Sequence, residues 1–169
     1  MVYKTIISVD DLKNNLNNDD FLIFDSRCDI KDSGYGIDSY TEGHIPNSIF
    51  VDVDTDLASE KRPGTGRHPL PDPNTFSEKL SHWGMSNNKQ VVVYDDAGGA
   101  FAGRLWWMLK WLGHEAVAVL DGGLNSWVKG GNKLVTTPTV FEKAHFEPRV
   151  QENMICLLYT SPSPRDLST

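Results

Sequence analysis

The chain has 169 residues and a formal net charge of −7, from 16 basic and 23 acidic side chains. This length favours one domain with a core of its own, and the acidic balance, without a cluster of lysines or arginines, argues against nucleic acid as a partner. The N-terminus lacks the apolar segment of a signal peptide, and no run of about 18 apolar residues could cross a membrane, so a cytosolic protein without membrane contact is expected.

The first third of the chain alternates between strand-like and helix-like segments. TIIS predicts a short strand, and SVDDLKNNL predicts a helix in which Ser8 and Asp11 fit a capping box. Residues 21–26 form an apolar run that ends in polar residues, which is typical of a buried parallel strand. After a long loop rich in aspartate and glycine, Asn47 suits a left-handed turn and residues 48–53 predict the next strand.

The middle of the chain begins with a segment, residues 59–73, that is too rich in proline and glycine for a regular element. It predicts an ordered surface loop or a functional one. Asp72 and Pro73 then suit the N-cap and the first turn of a helix, and Gly84 suits its end.

The remaining elements are two strands and two helices. QVVVYDD and AVAVLDGG predict the strands, residues 100–112 predict a helix between them, and LNSWVKGG predicts a short last helix. The helix over residues 100–112 is apolar on almost every side, so we expect it to lie between layers rather than at the surface. The alternation of elements predicts an α/β domain with a mostly parallel central sheet and helices on both faces.

The segment DDAGGAFAG leads from a predicted strand into a predicted helix. A glycine-rich turn in this place points successive backbone N–H groups at one spot, so it can stabilise an anion. The loop lacks the lysine and hydroxyl residue of a P-loop and does not match G-x-G-x-x-G, and its adjacent aspartates lack the alternate spacing of haloacid-dehalogenase phosphatases. Asp95 is its first residue, and Asp96, Ala97, Gly98 and Gly99 are expected to form this anion cradle.

Four motifs in order carry a family resemblance: GHIPNSIFVDVD, PGTGRHPLPDP, VVVYDDAGGAFAGRLWWMLKWLGH and AVAVLDGGLNSW. From Ile6 to about Gly131 the chain resembles the N-terminal half of tandem-domain rhodaneses, the thiosulfate and 3-mercaptopyruvate sulfurtransferases. The resemblance implies a rhodanese-like domain over residues 1–150.

In a catalytic domain of this family a cysteine stands first in the cradle loop. Its thiolate takes sulfane sulfur from a small anionic donor as a persulfide, and a thiol or cyanide acceptor removes it. Asp95 occupies that position here. The resemblance therefore implies a non-catalytic first domain, inactive alone, that belongs with a second rhodanese domain bearing the cysteine. The alternative is a stand-alone inactive module that binds a protein partner or an anion.

The resemblance also suggests roles outside the cradle. Asp54 and His68 match an acid and a histidine that form a relay toward the second domain's cysteine in the mercaptopyruvate branch. The alternative is a solvent-exposed loop histidine and a surface acid.

Cys28, Phe101 and Arg104 are candidates for the substrate cleft. Phe101 fits a core position equally well, and Cys28 is better explained as an ordinary free thiol, because no sequence neighbour would activate it. Arg104 could steer an anionic substrate, although an ion pair or backbone clamp near Asp95 or Asp96 explains it better.

His44 and the three tryptophans of GRLWWMLKW are interpreted as structural. His44 fits a buried imidazole bonded to backbone, and Trp106, Trp107 and Trp111 fit core or interdomain packing rather than a cofactor site. No cofactor and no metal are expected, since the two cysteines lack the spacing of a zinc site.

From Cys156 the sequence changes to CLLYTSPSPRDLST. Its back-translation resembles a sequencing adapter, so we expect residues 151–155 to begin a linker and residues 156–169 to be adapter-derived, with native sequence continuing after about Ile155. The alternative is a disordered native tail.

Overall fold

Five parallel strands form the central sheet of the computed structural model, which describes residues 2–155. They are β1 (Ile6–Ile7), β2 (Phe21–Asp25), β3 (Ser48–Phe50), β4 (Gln90–Tyr94) and β5 (Val117–Leu120). Their order across the sheet is β1-β5-β4-β2-β3. This parallel sheet confirms the predicted fold class.

Five α-helices connect and follow the strands: α1 (Val9–Asn14), α2 (Tyr35–Glu42), α3 (Pro73–His82), α4 (Ala102–Trp111) and α5 (Gly123–Lys129), with a 3₁₀ turn at Glu152–Met154. The Ser8 hydroxyl oxygen accepts the N–H of Asp11 at 3.1 Å, as the capping box predicts. Asp72 caps α3 by accepting the N–H groups of Asn74 and Thr75, both at 3.0 Å. Both predicted helix starts are confirmed.

Neighbouring residues of the central strands face two separate hydrophobic layers. Phe24 and Val93 pack with α3 and α4 on one face of the sheet. Ile23 and Val92 pack with α1 and α5 on the other. Because β2 and β4 are buried on both faces, their apolar residues follow one another directly (FLIF and VVVY) instead of alternating with polar ones.

The first five residues of helix α2, 35–39, lie in the stretch predicted to be a long loop, so the prediction is wrong for these residues. Its polar sequence buries only Gly36 and Tyr40, too few residues for a recognisable helical period. A Cβ at Gly36 would lie 2.3 Å from the carbonyl oxygen of Arg27, so glycine permits the close packing of α2. The Tyr40 hydroxyl donates to the carbonyl of Ser48 at 2.7 Å and ties α2 to β3.

Strand β3 is shorter than predicted and ends at residue 50 rather than 53. The carboxylate of Asp52 turns the chain there, because it accepts the N–H groups of Asp54 at 2.7 Å and Thr55 at 2.9 Å. This turn begins the loop over residues 51–72, which connects β3 to α3.

Helix α4 buries one side only, which corrects the expectation that it lies between layers. Trp107 and Lys110 on its other side are partly exposed. The segment over residues 141–155 packs first against the end of α3, where Ala144 donates to the carbonyl of Ser81 at 2.9 Å, and then against the end of α4, where the N–H groups of Arg149 and Gln151 donate to carbonyl oxygens at 2.8 and 2.7 Å.

The boundary predicted at residue 150 falls within this packed segment and stays a prediction. The adapter-derived tail predicted from Cys156 lies outside the described residues. No helix in residues 2–155 is long and apolar enough to cross a membrane.

Candidate functional site

Three loops meet at the carboxyl ends of β2, β3 and β4, which lie side by side in the sheet. Strands β2 and β4 are neighbours, but β2 is followed in the chain by β3 on its far side and β4 by β5 on its far side. The loops after them, residues 26–34 and 95–101, therefore run in opposite directions. Parallel α/β sheets place their ligands in the crevice at such a point. All residues predicted for the site lie on these three loops or in the first turn of α4.

The anion cradle is occupied by the carboxylate of Asp95, whose side chain is buried. Its Oδ1 accepts the N–H groups of Ala97 at 3.0 Å and Gly99 at 2.8 Å. Its Oδ2 accepts those of Phe101 and Ala102, both at 2.9 Å. Four backbone donors therefore surround one negative charge, an arrangement that stabilises it strongly.

Glycine is required at several points around Asp95. Gly98 and Gly99 have φ angles of 70° and 90°, a left-handed backbone that favours glycine, and of the two only Gly99 donates its N–H to Asp95. Gly123, at the start of α5, has a φ of 57°, and a Cβ there would lie 2.2 Å from the carbonyl oxygen of Asp95. That carbonyl instead accepts the N–H of Leu124 at 2.8 Å. The glycine pair at the start of α5, Gly122 and Gly123, thus serves the tight turn that the sequence predicts.

An open crevice of about 580 Å³ lies beside the cradle. Its lining comes from the loop after β2, the loop after β4, α2 and α5: Cys28, Asp29, Ile30, Lys31, Tyr35, Asp96, Ala97, Phe101 and Asn125. The structure brings Cys28 and Phe101 together with Asp96 and Ala97 of the cradle loop. Phe101 also contacts the hydrophobic core, so its cleft and core positions are compatible.

Tyr35 and Asn125 were missing from the predicted site. The Tyr35 hydroxyl donates to a carboxylate oxygen of Asp96, and this bond, with burial, raises the pKa of Tyr35. The Asn125 amide donates to the backbone carbonyl of Asp96 at 3.0 Å. Tyr35 could have been found only by recognising α2, and Asn125 only by noting that α5 starts beside the cradle loop.

Asp54 and His68 form a direct pair, as the relay requires. Nε2 of His68 lies 2.7 Å from Oδ1 of Asp54, and their side chains are 25% and 42% exposed. The position of Asp54 is fixed by its N–H bond to Asp52. The pair can orient the imidazole and leaves it accessible to solvent; its catalytic role stays a prediction.

Arg104 does not contact Asp95 or Asp96, which corrects the expected position of its clamp. Its Nε and Nη2 donate to the carbonyl of Leu57 at 3.1 and 2.6 Å, and Nη2 also donates to the carbonyl of His68 at 3.1 Å. Burial lowers the pKa of Arg104. It is absent from the crevice lining, so here it fixes the backbone of the loop that carries His68.

Cys28 is a partly buried free thiol at the rim of the crevice. Burial raises its pKa, and the neighbouring carboxylates Asp54, Asp52 and Asp29 raise it further, while Arg67 acts in the opposite direction. Because the thiolate is the nucleophile, this environment disfavours reactivity. The geometry supports the interpretation of Cys28 as an ordinary free thiol.

His44 and the tryptophans occupy structural positions. His44 is buried, with Nδ1 2.7 Å from the carbonyl oxygen of Tyr40, and its ring stacks on Tyr40 at 3.8 Å. Trp107 stacks on Trp111 with centroids 6.1 Å apart, and the indole of Trp106 donates to the carbonyl of Val117 at 3.1 Å. Within residues 2–155 no three metal-ligating side chains cluster.

The family described as "Rhodanese-like domain" matches residues 8–130. The chain is 40% identical over 152 residues to a probable 3-mercaptopyruvate sulfurtransferase of Pseudomonas aeruginosa, covering 89% of this chain and 54% of that protein. It is 39% identical over 127 residues to thiosulfate/3-mercaptopyruvate sulfurtransferase 1, mitochondrial, of Arabidopsis thaliana, covering 75% of this chain and 33% of that protein. The chain thus spans about half or less of these relatives' length.

The similar solved structures are also sulfurtransferases of which this chain covers about half. The chain is similar to 3-mercaptopyruvate sulfurtransferase from Leishmania major, with a TM-score of 0.83 and 29% identity over 96% of this chain and 45% of that one. It is also similar to the 3-mercaptopyruvate sulfotransferase SseA from Escherichia coli, with a TM-score of 0.77 and 27% identity over 88% of this chain and 58% of that one.

Proposed function

The chain belongs to the rhodanese-like domain family, and from this membership we propose that it is the first, non-catalytic domain of a cytosolic two-domain sulfurtransferase. The relatives it matches are sulfurtransferases, and it covers only 54% of the P. aeruginosa protein. If the chain is one domain of a two-domain enzyme, both its similarity to sulfurtransferases and its coverage of about half of their length are explained.

The proposed parent enzyme transfers sulfane sulfur from thiosulfate or 3-mercaptopyruvate to a thiol or to cyanide. A cysteine thiolate on the second domain attacks the donor's sulfur, and the bond from that sulfur to the rest of the donor breaks. Thiosulfate releases sulfite, and 3-mercaptopyruvate releases the enolate of pyruvate, which takes up the proton lost from the sulfur. The resulting cysteine persulfide then loses its outer sulfur to the acceptor, which regenerates the thiolate. Every step needs a thiol in a loop that stabilises its anion.

The observation that carries the proposal is the state of the cradle. The loop has the amide geometry suited to a thiolate or persulfide, yet four N–H groups are bound to the carboxylate of Asp95. A carboxylate cannot accept a sulfur atom to form a persulfide. Cys28, the one cysteine in residues 2–155, lies where its thiolate is disfavoured. This chain alone is therefore inactive in the proposal.

Within the proposed parent, the Asp54–His68 pair supplies a proton-transfer group to the second domain. The carboxylate of Asp54 orients the imidazole of His68 at 2.7 Å, and Arg104 fixes the backbone carbonyl of His68. A histidine held in this way can exchange a proton with the acceptor or with the released donor fragment.

Two measurements test the proposal. Thiocyanate formation from thiosulfate and cyanide by the 169-residue chain should equal that of a heat-treated control; turnover abolished by Cys28→Ser would contradict it. Sequencing the genomic DNA beyond the codon for Ile155 should show a second rhodanese domain with a cysteine first in its cradle loop. A native stop codon there would instead favour the stand-alone module.

A further inference from the structure

The loop between β3 and α3 carries the Asp54–His68 pair on two limbs. Asp54 lies on the first limb, residues 54–59, and His68 lies on the second limb, residues 67–70, while the tip between them, residues 60–66, is exposed. Bringing the two limbs together costs conformational entropy, and a pair as exposed as this one contributes little stability by itself. Other bonds must therefore hold Nε2 of His68 at 2.7 Å from Oδ1 of Asp54.

The first limb is attached to α3 and to the core. Nζ of Lys79 donates to the carbonyl of Thr55 and to Oδ1 of Asp56, both at 2.9 Å. The side chain of Leu57 is fully buried. These contacts fix the limb that carries Asp54 without any contribution from the second limb.

The second limb is attached at two places. The N–H of Ser59 donates to the carbonyl of Pro69 at 2.9 Å, and its hydroxyl donates to the carbonyl of Leu70 at 3.2 Å. These two bonds join the limbs, but neither involves His68 itself. The carbonyl of His68 accepts a bond from Nη2 of Arg104 at 3.1 Å.

Arg104 spans both limbs from the first turn of α4. Its Nε and Nη2 donate to the carbonyl of Leu57 on the first limb at 3.1 and 2.6 Å, and the same Nη2 reaches His68 on the second. The side chain is partly buried and forms no salt bridge with a carboxylate of residues 2–155. Its burial is therefore compensated by the loop carbonyls. A planar guanidinium can hold two carbonyls in a fixed arrangement, which a lysine ammonium cannot.

We propose that Arg104 is a positioning residue for the Asp54–His68 pair, which it assembles within this domain by fixing the second limb against the first. The inference rests on the proposed function, because the pair serves catalysis only where a second domain faces it. The carboxylate of Asp54 accepts the proton on Nε2, so a neutral imidazole has Nδ1 as its proton acceptor. Nδ1 is then the atom through which His68 exchanges protons.

The test is the NMR signal of the His68 Nε2–H proton in the ¹⁵N-labelled 169-residue chain, recorded at low temperature and near neutral pH. An imidazole N–H that is held by a carboxylate exchanges with water more slowly than a free one, so its exchange rate reports how well the pair is held. His68→Gln should remove the signal and so assign it. Asp54→Ala should remove it too, because the acceptor is lost.

Two variants of Arg104 measure its contribution. Arg104→Gln should raise the exchange rate about tenfold, since a hydrogen bond from a charged donor changes an equilibrium constant by about that factor or more. Arg104→Lys should give an intermediate rate, because an ammonium group lacks the planar arrangement that holds both carbonyls.

Two controls separate positioning from a general effect on the fold. Arg62→Gln makes the same exchange at the tip of the same loop, where the side chain is 76% exposed, and should leave the rate unchanged. Leu12→Ala leaves a cavity in the core on the opposite face of the sheet. It lowers stability without touching the loop, so it should also leave the rate unchanged.

A rate that rises in Arg104→Gln and in neither control supports the proposal. It is overturned by an Nε2–H signal missing from the unaltered chain or persisting in Asp54→Ala, by an unchanged rate in Arg104→Gln, or by an equal rise in either control. Where Arg104→Gln fails to fold, an Arg104→Lys rate equal to that of the unaltered chain overturns it. A native stop codon after Ile155 contradicts the proposed sulfurtransferase role and leaves these rates unaffected, so the two failures are distinguishable.

Discussion

Replacing Asp95 by asparagine should destabilise the domain strongly, although the side chain keeps its shape. The carboxylate accepts four backbone N–H groups, two at each oxygen. Asparagine has one carbonyl oxygen, which can accept two of the four N–H groups. Its NH₂ group is a donor and cannot accept the other two, so these lose their hydrogen bonds. Hydrogen bonds to a charged group contribute about 1.5–3 kcal/mol each, and an unsatisfied buried donor costs about 1–3 kcal/mol.

Two lost bonds alone predict about 3–6 kcal/mol. Ala97 and Gly98 are exposed, so water can reach part of the loop, and we expect a loss of about 3–4 kcal/mol in the free energy of unfolding. For a chain of this size that loss corresponds to a fall of roughly 6–16 °C in Tm.

Urea unfolding followed by far-UV circular dichroism measures the effect. Asp96→Asn is the matched control, because it changes the adjacent carboxylate while keeping an acceptor for the Tyr35 hydroxyl; it should cost less than about 1 kcal/mol. If Asp95→Asn loses no more stability than this control, the four amides do not hold the carboxylate as the structure indicates.

Three other predictions concern the cradle, one buried histidine and the packing of α2. In a variant in which the other cysteines are replaced by serine, Asp95→Cys should give a thiol that reacts at lower pH than a free cysteine, as measured by its alkylation rate against pH. The variant should not reach full sulfurtransferase turnover, and turnover typical of the family would contradict this prediction. Burial lowers the pKa of His114 below 6.5, so the unfolded chain binds more protons and stability should fall from pH 7.5 to 5.5. His114→Gln should reduce that slope, by at most about 1.4 kcal/mol per pH unit; an unchanged slope would refute the assignment. Gly36→Ala should lower the free energy of unfolding by about 2 kcal/mol or more, because its Cβ would lie 2.3 Å from the carbonyl oxygen of Arg27. Gly103→Ala is the control: its Cβ would meet nothing within 4 Å, so it should be neutral or stabilising by up to about 1 kcal/mol. Equal urea midpoints for the two variants would contradict the close packing of α2.

The elements that sequence alone predicted well are those whose signal is local. The apolar runs of β2 and β4 follow from burial on both faces, and the starts of α1 and α3 follow from the side chains of Ser8 and Asp72. Asn47, expected in a left-handed turn, has a φ of 63°. Each of these depends on a few adjacent residues.

The features that sequence missed depend on contacts between distant segments. Helix α2 is stabilised by Tyr40 bonding to β3 and by Gly36 packing against the loop after β2, neither of which leaves a helical hydrophobic pattern. Arg104 reaches the carbonyls of Leu57 and His68, which are 47 and 36 residues away, so its clamp could not be assigned to a partner. The crevice lining likewise combines four segments of the chain.

Asp95 separates two properties that a catalytic cradle combines. Amide groups arranged around a loop both hold the loop in shape and create a positive potential for a reacting anion. Here the carboxylate of Asp95 accepts all four of these N–H groups. They therefore hold the loop in shape, and the negative charge of Asp95 offsets their positive potential. One side chain at the first loop position can therefore keep the shape of an amide-lined loop while its own charge takes the place that a reacting anion would occupy.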